Sequence, residues 1–107
     1  MKISQRTLSE NQIFDINGNI SFEETAEMES LILKNIAPGI RNVVVNLDNS
    51  TYITSSALGS FVRIHQTIKE KGITLSMMNL SKEVDNLFKI TGVNRYFKYI
   101  PSENDLK

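Results

Sequence analysis

A change of apolar pattern within residues 43–61 constrains the fold more than any other feature of this sequence. Residues 43–45 are three valines, a β-branched run that is too short for a buried helix and is typical of a buried strand. A polar stretch follows. Residues 54–56, Thr-Ser-Ser, then precede apolar residues at helical spacing. The pattern predicts a strand, a short loop and a helix, with three hydroxyl side chains at the helix start.

The rest of the chain alternates between predicted strands and helices. Strands are expected near residues 3–8, 12–16, 41–48, 73–79 and 96–100, and helices over residues 21–36, 55–71 and 81–91. Ser21 and Glu24 have the spacing of a capping box, which predicts the first helix start at Ser21. Strands separated by helices require crossover connections. We therefore predict a single α/β domain over residues 1–107, with a mixed, mainly parallel sheet of four or five strands whose first two strands are antiparallel.

Composition argues against several kinds of function. Twelve Lys and Arg balance twelve Asp and Glu, so no net positive charge attracts nucleic acid or an anionic membrane surface. The absence of cysteine and the single histidine argue against thiolate sites, cysteine nucleophiles and histidine metal centres. The first residues lack the apolar segment of a secretory signal, and no apolar run is long enough to span a bilayer. We expect a cytoplasmic protein with no direct membrane insertion and no direct nucleic acid binding.

Residue patterns typical of catalysis are also missing. A helix that begins at Ser55 separates this serine from His65 by about 15 Å along the axis, which is too far for a catalytic pair. The five glycines are scattered and form no phosphate-binding loop. The acidic residues of the first helix fit a solvated face better than a set of converging metal ligands; they are Glu23, Glu24, Glu27 and Glu29. No cofactor, no metal and no enzymatic activity are expected.

The residues alone leave two interpretations of the hydroxyl cluster open. The first N–H groups of a helix have no partner within it, and the helix dipole places partial positive charge there. A hydroxyl at this position can cap the helix. It can also be a phosphorylation site, because a phosphate group is stabilised at a helix N-terminus.

The sequence from Asn46 to Gly59, Asn-Leu-Asp-Asn-Ser-Thr-Tyr-Ile-Thr-Ser-Ser-Ala-Leu-Gly, resembles a motif of the bacterial anti-sigma factor antagonists and the wider STAS domains. In that family a strand ends in Asp, and Asp-Ser-Ser/Thr-Gly-Leu-Gly opens a helix. The similarity extends to residues 18–21 and 81–93. It implies a STAS-like fold and phosphorylation of Ser55. It also implies a partner-binding surface, which comprises Ser21, Tyr52, Thr54, Ser56, Ala57, Leu58 and Gly59.

The function implied by this resemblance is that of an anti-sigma factor antagonist. Its unphosphorylated form would bind an anti-sigma factor with serine kinase activity and so release a sigma factor, and a serine phosphatase would act on the phosphorylated form. Two residues depart from the motif: Thr54 replaces the acidic residue, and Ala57 replaces the first glycine. Either a divergent kinase modifies the site or the switch has been lost. The alternative is a non-switching STAS scaffold, or a subunit of a signalling or membrane-transport assembly, in which Ser55 only caps the helix.

Overall fold

The structure is a computed structural model that describes residues 1–50 and 52–106. Thr51 and Lys107 fall within the predicted domain 1–107 but lie outside the described residues. The described strands are β1 (Lys2–Leu8), β2 (Asn11–Asn17), β3 (Asn42–Asn49), β4 (Thr74–Met78) and β5 (Lys98–Ile100). The described α-helices are α1 (Thr25–Lys34), α2 (Ser55–Lys69) and α3 (Lys82–Thr91). Short 3-10 helices span Val93–Tyr96 and Glu103–Asp105.

The five strands form one sheet in the order in which they occur along the chain, β1 to β5. β1 and β2 are antiparallel, and each later strand runs parallel to the one before it. This arrangement confirms the predicted α/β fold with a mixed, mainly parallel sheet. The turn between β1 and β2 includes Ser9, which has a positive φ of 58°. Asn17 ends β2, and Gly18 begins the loop to α1.

The main hydrophobic core lies between the sheet and the three α-helices. Successive side chains of a strand point to opposite faces, so Val43, Val45 and Leu47 of β3 face this core while Val44 faces the other side of the sheet. All four side chains are fully buried. The helices contribute Met28, Ile32, Leu58, Phe61, Ile64, Ile68, Val84 and Phe88 to the core. Burial of each large apolar side chain contributes about 1.5–3 kcal/mol, which fixes the helices against one face.

The first helix is shorter than predicted. It begins at Thr25 because Ser21 does not cap it: the Ser21 N–H and hydroxyl both donate to Glu24 Oε1, at 3.1 and 2.9 Å, so only half of the capping box forms. It ends before Ile36 because the chain turns to meet β2. The amide of buried Gln12 donates to the Asn35 carbonyl at 2.6 Å and accepts the Ala37 N–H at 2.8 Å.

The end of the chain also differs in part from the prediction. Ser81 caps α3 as expected, accepting the Val84 N–H at 3.2 Å, and Gly92 ends that helix with a φ of 78°. Residues 93–96 then form a 3-10 helix, so the last strand begins at Lys98 instead of Tyr96. Across the described residues, none of the helices combines the length and the apolar character needed to cross a membrane.

Candidate functional site

Two loops meet at the carboxyl ends of β2 and β3. Ile20 and Ile53, both buried, form a parallel bridge between them. The hydroxyl of buried Ser50 donates to the Gly18 carbonyl at 2.7 Å. The Tyr52 N–H donates to Asn19 Oδ1 at 3.1 Å. These contacts hold the loop that precedes α2 against the loop that precedes α1.

Thr54 is the residue that caps α2. Its backbone is extended, with φ −86° and ψ 162°, and its carbonyl accepts the Ala57 N–H at 3.1 Å. The same N–H also approaches Thr54 Oγ1 at 3.4 Å. Ser55 is therefore the first residue of the helix and not its cap, which corrects the interpretation in which Ser55 serves only as the cap.

The hydroxyl of Ser56 connects the helix cap to α1. Its Oγ lies 2.9 Å from Thr54 Oγ1 and 3.2 Å from Thr25 Oγ1. The Thr25 hydroxyl donates its one hydrogen to the Ser21 carbonyl at 3.1 Å. It follows that Ser56 donates to Thr25 and that Thr54 donates to Ser56. The result is a directional chain of hydrogen bonds from the start of α2 to the loop before α1.

Ser55 differs from both neighbouring hydroxyl residues. Its side chain is exposed, and no hydrogen bond joins its hydroxyl to any part of the chain that the structure describes. It lies at the positive end of the dipole of a helix of 15 residues. A hydroxyl in this position is accessible to a modifying enzyme, and an attached phosphate would lie close to the N–H groups of the first helical turn.

The other predicted partner-binding residues divide into surface and core. Tyr52 is 62% exposed, and Ser21 and Gly59 are half-buried. Ala57 and Leu58 are 0% and 2% exposed, so their side chains do not reach the surface of the domain, and their part in partner binding stays a prediction. The physical reason is helical phase, because these two residues lie on the side of α2 that packs on the sheet.

Sequence reasoning missed three residues of this region. Phe22 is 72% exposed at the turn before α1, and Asn19 and Thr25 provide the contacts described above. Phe22 also borders a groove of about 560 Å³ between α1 and α2, whose lining includes Ala26, Leu33, Ser56 and Arg63. The sequence held one signal for Phe22, which is an aromatic side chain within a polar stretch. The capping-box pattern placed this residue inside the predicted helix instead.

Charged groups near the site are engaged in local pairs. Hydrogen bonds from the Met1 ammonium group and from Ser21 lower the pKa of the Glu24 carboxyl. Burial opposes ionisation of Glu29, but hydrogen bonds from Arg63 and Ser60 hold its pKa below the ordinary value. Within residues 1–50 and 52–106, no three His, Cys, Asp or Glu residues are grouped so as to hold a metal ion.

Comparisons with known proteins agree with this fold. The STAS domain family matches residues 2–106. The anti-sigma-B factor antagonist of Staphylococcus aureus is 25% identical over 95 residues, which cover 87% of this chain and 88% of that protein.

Two solved structures share the fold at low identity. An anti-sigma factor antagonist from Mycobacterium paratuberculosis has a TM-score of 0.80 at 16% identity, covering 97% of this chain and 88% of that one. The anti-sigma factor antagonist SpoIIAA in its unphosphorylated form has a TM-score of 0.73 at 13% identity, covering 96% of this chain and 91% of that one. With a family match over nearly its whole length, the chain belongs to the STAS domain family.

Proposed function

We propose that this protein is an anti-sigma factor antagonist, a binding protein and not an enzyme, whose partner is an anti-sigma factor with serine kinase activity. In its unphosphorylated form it binds the anti-sigma factor, and the sigma factor is released. Transfer of a phosphoryl group from ATP to Ser55 Oγ ends the interaction, and a serine phosphatase restores it. The exchange takes place in the cytoplasm, where sigma factors act.

The proposal rests on one observation, which is the difference between Ser55 and the two hydroxyl residues beside it. Thr54 and Ser56 bond to each other and to their surroundings, whereas the Ser55 side chain is exposed without a hydrogen bond to the described residues. The relative in Staphylococcus aureus supports the class of partner through its name. Thr54, where the family motif has an acidic residue, caps α2, and Ala57, where the motif has a glycine, is buried in the core.

The proposed switch acts through charge. A phosphate adds about −1.5 to −2 charge at neutral pH, which a partner packed on this surface would have to desolvate. Tyr52 and Phe22 are exposed aromatic residues in the two adjoining loops, and aromatic residues often anchor protein interfaces. At the start of α2 the same charge is favourable to the helix. Phosphorylation is therefore expected to weaken binding without unfolding the domain.

The proposal is tested by phosphopeptide mapping after incubation with ATP and each candidate anti-sigma kinase. Wild-type protein is compared with Ser55→Ala and with Ser56→Ala, the matched control for a neighbouring hydroxyl. We expect one phosphate on Ser55 in the wild type and in Ser56→Ala, and none in Ser55→Ala.

Binding to the same kinases is then measured by calorimetry. Ser55→Asp should bind at least about tenfold more weakly than the wild type, equivalent to about 1.4 kcal/mol. Phosphate on Thr54 or Ser56, or equal affinity of Ser55→Asp, would contradict the proposed switch. A lack of binding to every anti-sigma kinase would contradict the proposed class of partner.

A further inference from the structure

The face of the sheet opposite the α-helices has an apolar centre of its own. Ile13, Val44 and Met78, on three adjacent strands, are all 0% exposed there. Among the described residues, the partly buried aliphatic side chains of Ile100 and Leu106 pack against these three residues. We call residues 102–106 the strap, because they pass from β5 across this face.

The strap is attached to the opposite edge of the sheet through Arg6 of β1. The Arg6 guanidinium pairs with both carboxylate oxygens of Glu103, with Nη1 to Oε2 at 2.7 Å and Nη2 to Oε1 at 2.6 Å. Another side of the guanidinium pairs with Asp15, with Nε to Oδ2 at 2.7 Å. Asp15 also accepts a hydrogen bond from Asn46 at 2.7 Å. Arg6 is thereby held in place and presents a rigid fork that recognises a carboxylate.

The strap is only lightly attached. Its other hydrogen bonds among the described residues are internal, between Ser102 and Asp105 and between Glu103 and Leu106. Arg6 and Glu103 are 41% and 44% exposed, and Leu106 is half-buried. The strap can therefore leave the sheet without breaking any strand pairing.

The surface beneath the strap has polar side chains that are paired within the sheet, so another segment could cover it. Many of its polar side chains bond to one another across the strands, which lowers the cost of covering them. Two such rows flank the apolar centre: Asn11 with Asn42 and Ser76, and Asp15 with Asn46 and Asn79. A cleft of about 490 Å³ continues from Leu106 and is lined in part by Arg41 and Lys98. Departure of the strap removes the carboxylates of Glu103 and Asp105 and frees the side of the Arg6 guanidinium that does not pair with Asp15.

We propose that this face binds a segment of a partner protein that carries a carboxylate and, three positions later, a branched aliphatic side chain, and that the strap occupies the site as an internal ligand. The Glu103 carboxylate on Arg6 and the Leu106 side chain on the apolar centre define the chemistry of the ligand. A competing segment replaces both contacts at once. The surface lies on the sheet itself, so the proposal does not depend on phosphorylation of Ser55.

The test uses the strap sequence as a separate peptide, acetyl-Ser-Glu-Asn-Asp-Leu-amide, added to the full chain. Binding is followed by NMR peak shifts on wild type and on the double variant Glu103→Gln/Leu106→Ala, in which the strap contacts are weakened. We expect the variant to bind the peptide at least about tenfold more tightly than the wild type, with shifts on β1, β2 and β3, because the internal competitor has been weakened.

Two controls make the result specific. The peptide acetyl-Ser-Gln-Asn-Asp-Ala-amide should bind the variant at least about tenfold more weakly, and adding Arg6→Gln to the variant should reduce binding of the original peptide similarly. Equal binding to wild type and variant, or no binding to the variant, would overturn the proposal. The proposal would also be overturned if the wild type formed a dimer in sedimentation in which the strap of each copy binds the other copy. If the double variant is unfolded by circular dichroism, Glu103→Gln alone, which removes no buried side chain, serves for the same comparison.

Discussion

The hydroxyl oxygens of Thr54 and Ser56 lie 2.9 Å apart, although Ser55, the residue between them, exposes its side chain to solvent. Three consecutive hydroxyl residues thus have three different environments. Thr54 caps α2, Ser56 connects α2 to α1, and Ser55 is left accessible. Thr54 and Ser56 therefore contribute to stability, whereas Ser55 is the proposed phosphorylation site. Single substitutions can test each role separately.

Replacement of the helix cap should destabilise the protein more than replacement of the exposed serine. Thr54→Ala removes the oxygen that Ala57 N–H approaches and the hydrogen bond to Ser56, and it should lower the free energy of unfolding by about 1 kcal/mol. Ser55→Ala should change it by less than about 0.5 kcal/mol, as for an ordinary surface position. Urea unfolding monitored by circular dichroism measures both. A larger loss in Ser55→Ala than in Thr54→Ala would show that the cap has been misassigned.

The bond between Thr25 and Ser56 should appear as a coupling between the two helices. Thr25 is 6% exposed, so Thr25→Val retains shape but removes the hydroxyl that bonds to Ser56 and to the Ser21 carbonyl, which keeps the Glu24 N–H as a donor at 3.1 Å. The loss of these hydrogen bonds should cost about 0.5–1.5 kcal/mol. In a double-mutant cycle with Ser56→Ala the two losses should not add, because each variant removes the same interaction. Additive losses within about 0.3 kcal/mol would argue against a direct bond.

Leu58 should behave as a core residue. At 2% exposure within α2, Leu58→Ala should cost about 2–5 kcal/mol, because it removes buried methyl groups and leaves a cavity. Tyr52→Ala, at a site 62% exposed, is the control and should change stability little. Thermal unfolding measures both variants. A stable Leu58→Ala protein would mean that this side chain does not fill the core.

His65 should make stability depend on pH. Its Nδ1 is buried without a hydrogen-bond partner in the described chain, and its ring packs on Tyr96 and Phe97 at centroid distances of 5.8 and 6.1 Å. Burial, and then the charge of Lys69, lower the pKa of His65 below 6.5. A lowered pKa means that the unfolded state takes up the proton first. The free energy of unfolding should therefore be highest above pH 6.5 and fall as the pH decreases from 6.5 towards the lower pKa of the folded state.

The control for this prediction is His65→Leu, which replaces the imidazole by an apolar side chain that cannot titrate. The difference in unfolding free energy between wild type and variant should be nearly constant well above pH 6.5 and should change as the pH decreases through and below 6.5. Carboxyl groups titrate in both proteins, so their contribution cancels. A constant difference as the pH decreases through and below 6.5 would contradict the assignment of the pH dependence to His65.

Local patterns in the sequence predicted much of the fold. The valines at 43–45 predicted β3, and Ser81 with Gly92 predicted both ends of α3. These predictions succeeded because strand burial and helix capping depend on residues close together in the chain. The first helix was less predictable, because Gln12, far away in sequence, binds the backbone at Asn35 and Ala37 and draws the chain out of the helix.

The candidate site, like the fold, could be predicted only in part from the sequence. The sequence by itself determined that hydroxyl residues stand at the start of a helix, since the change of periodicity after residue 54 is local. Only the tertiary structure decided that Thr54 is the cap, that Ser56 bonds to Thr25, that Ser55 is exposed and that Ala57 and Leu58 are buried. The same is true of the strap, where Glu103 meets Arg6 across the sheet. The physical reason is that exposure and hydrogen-bond partners depend on the packing of distant segments, which a local pattern does not specify.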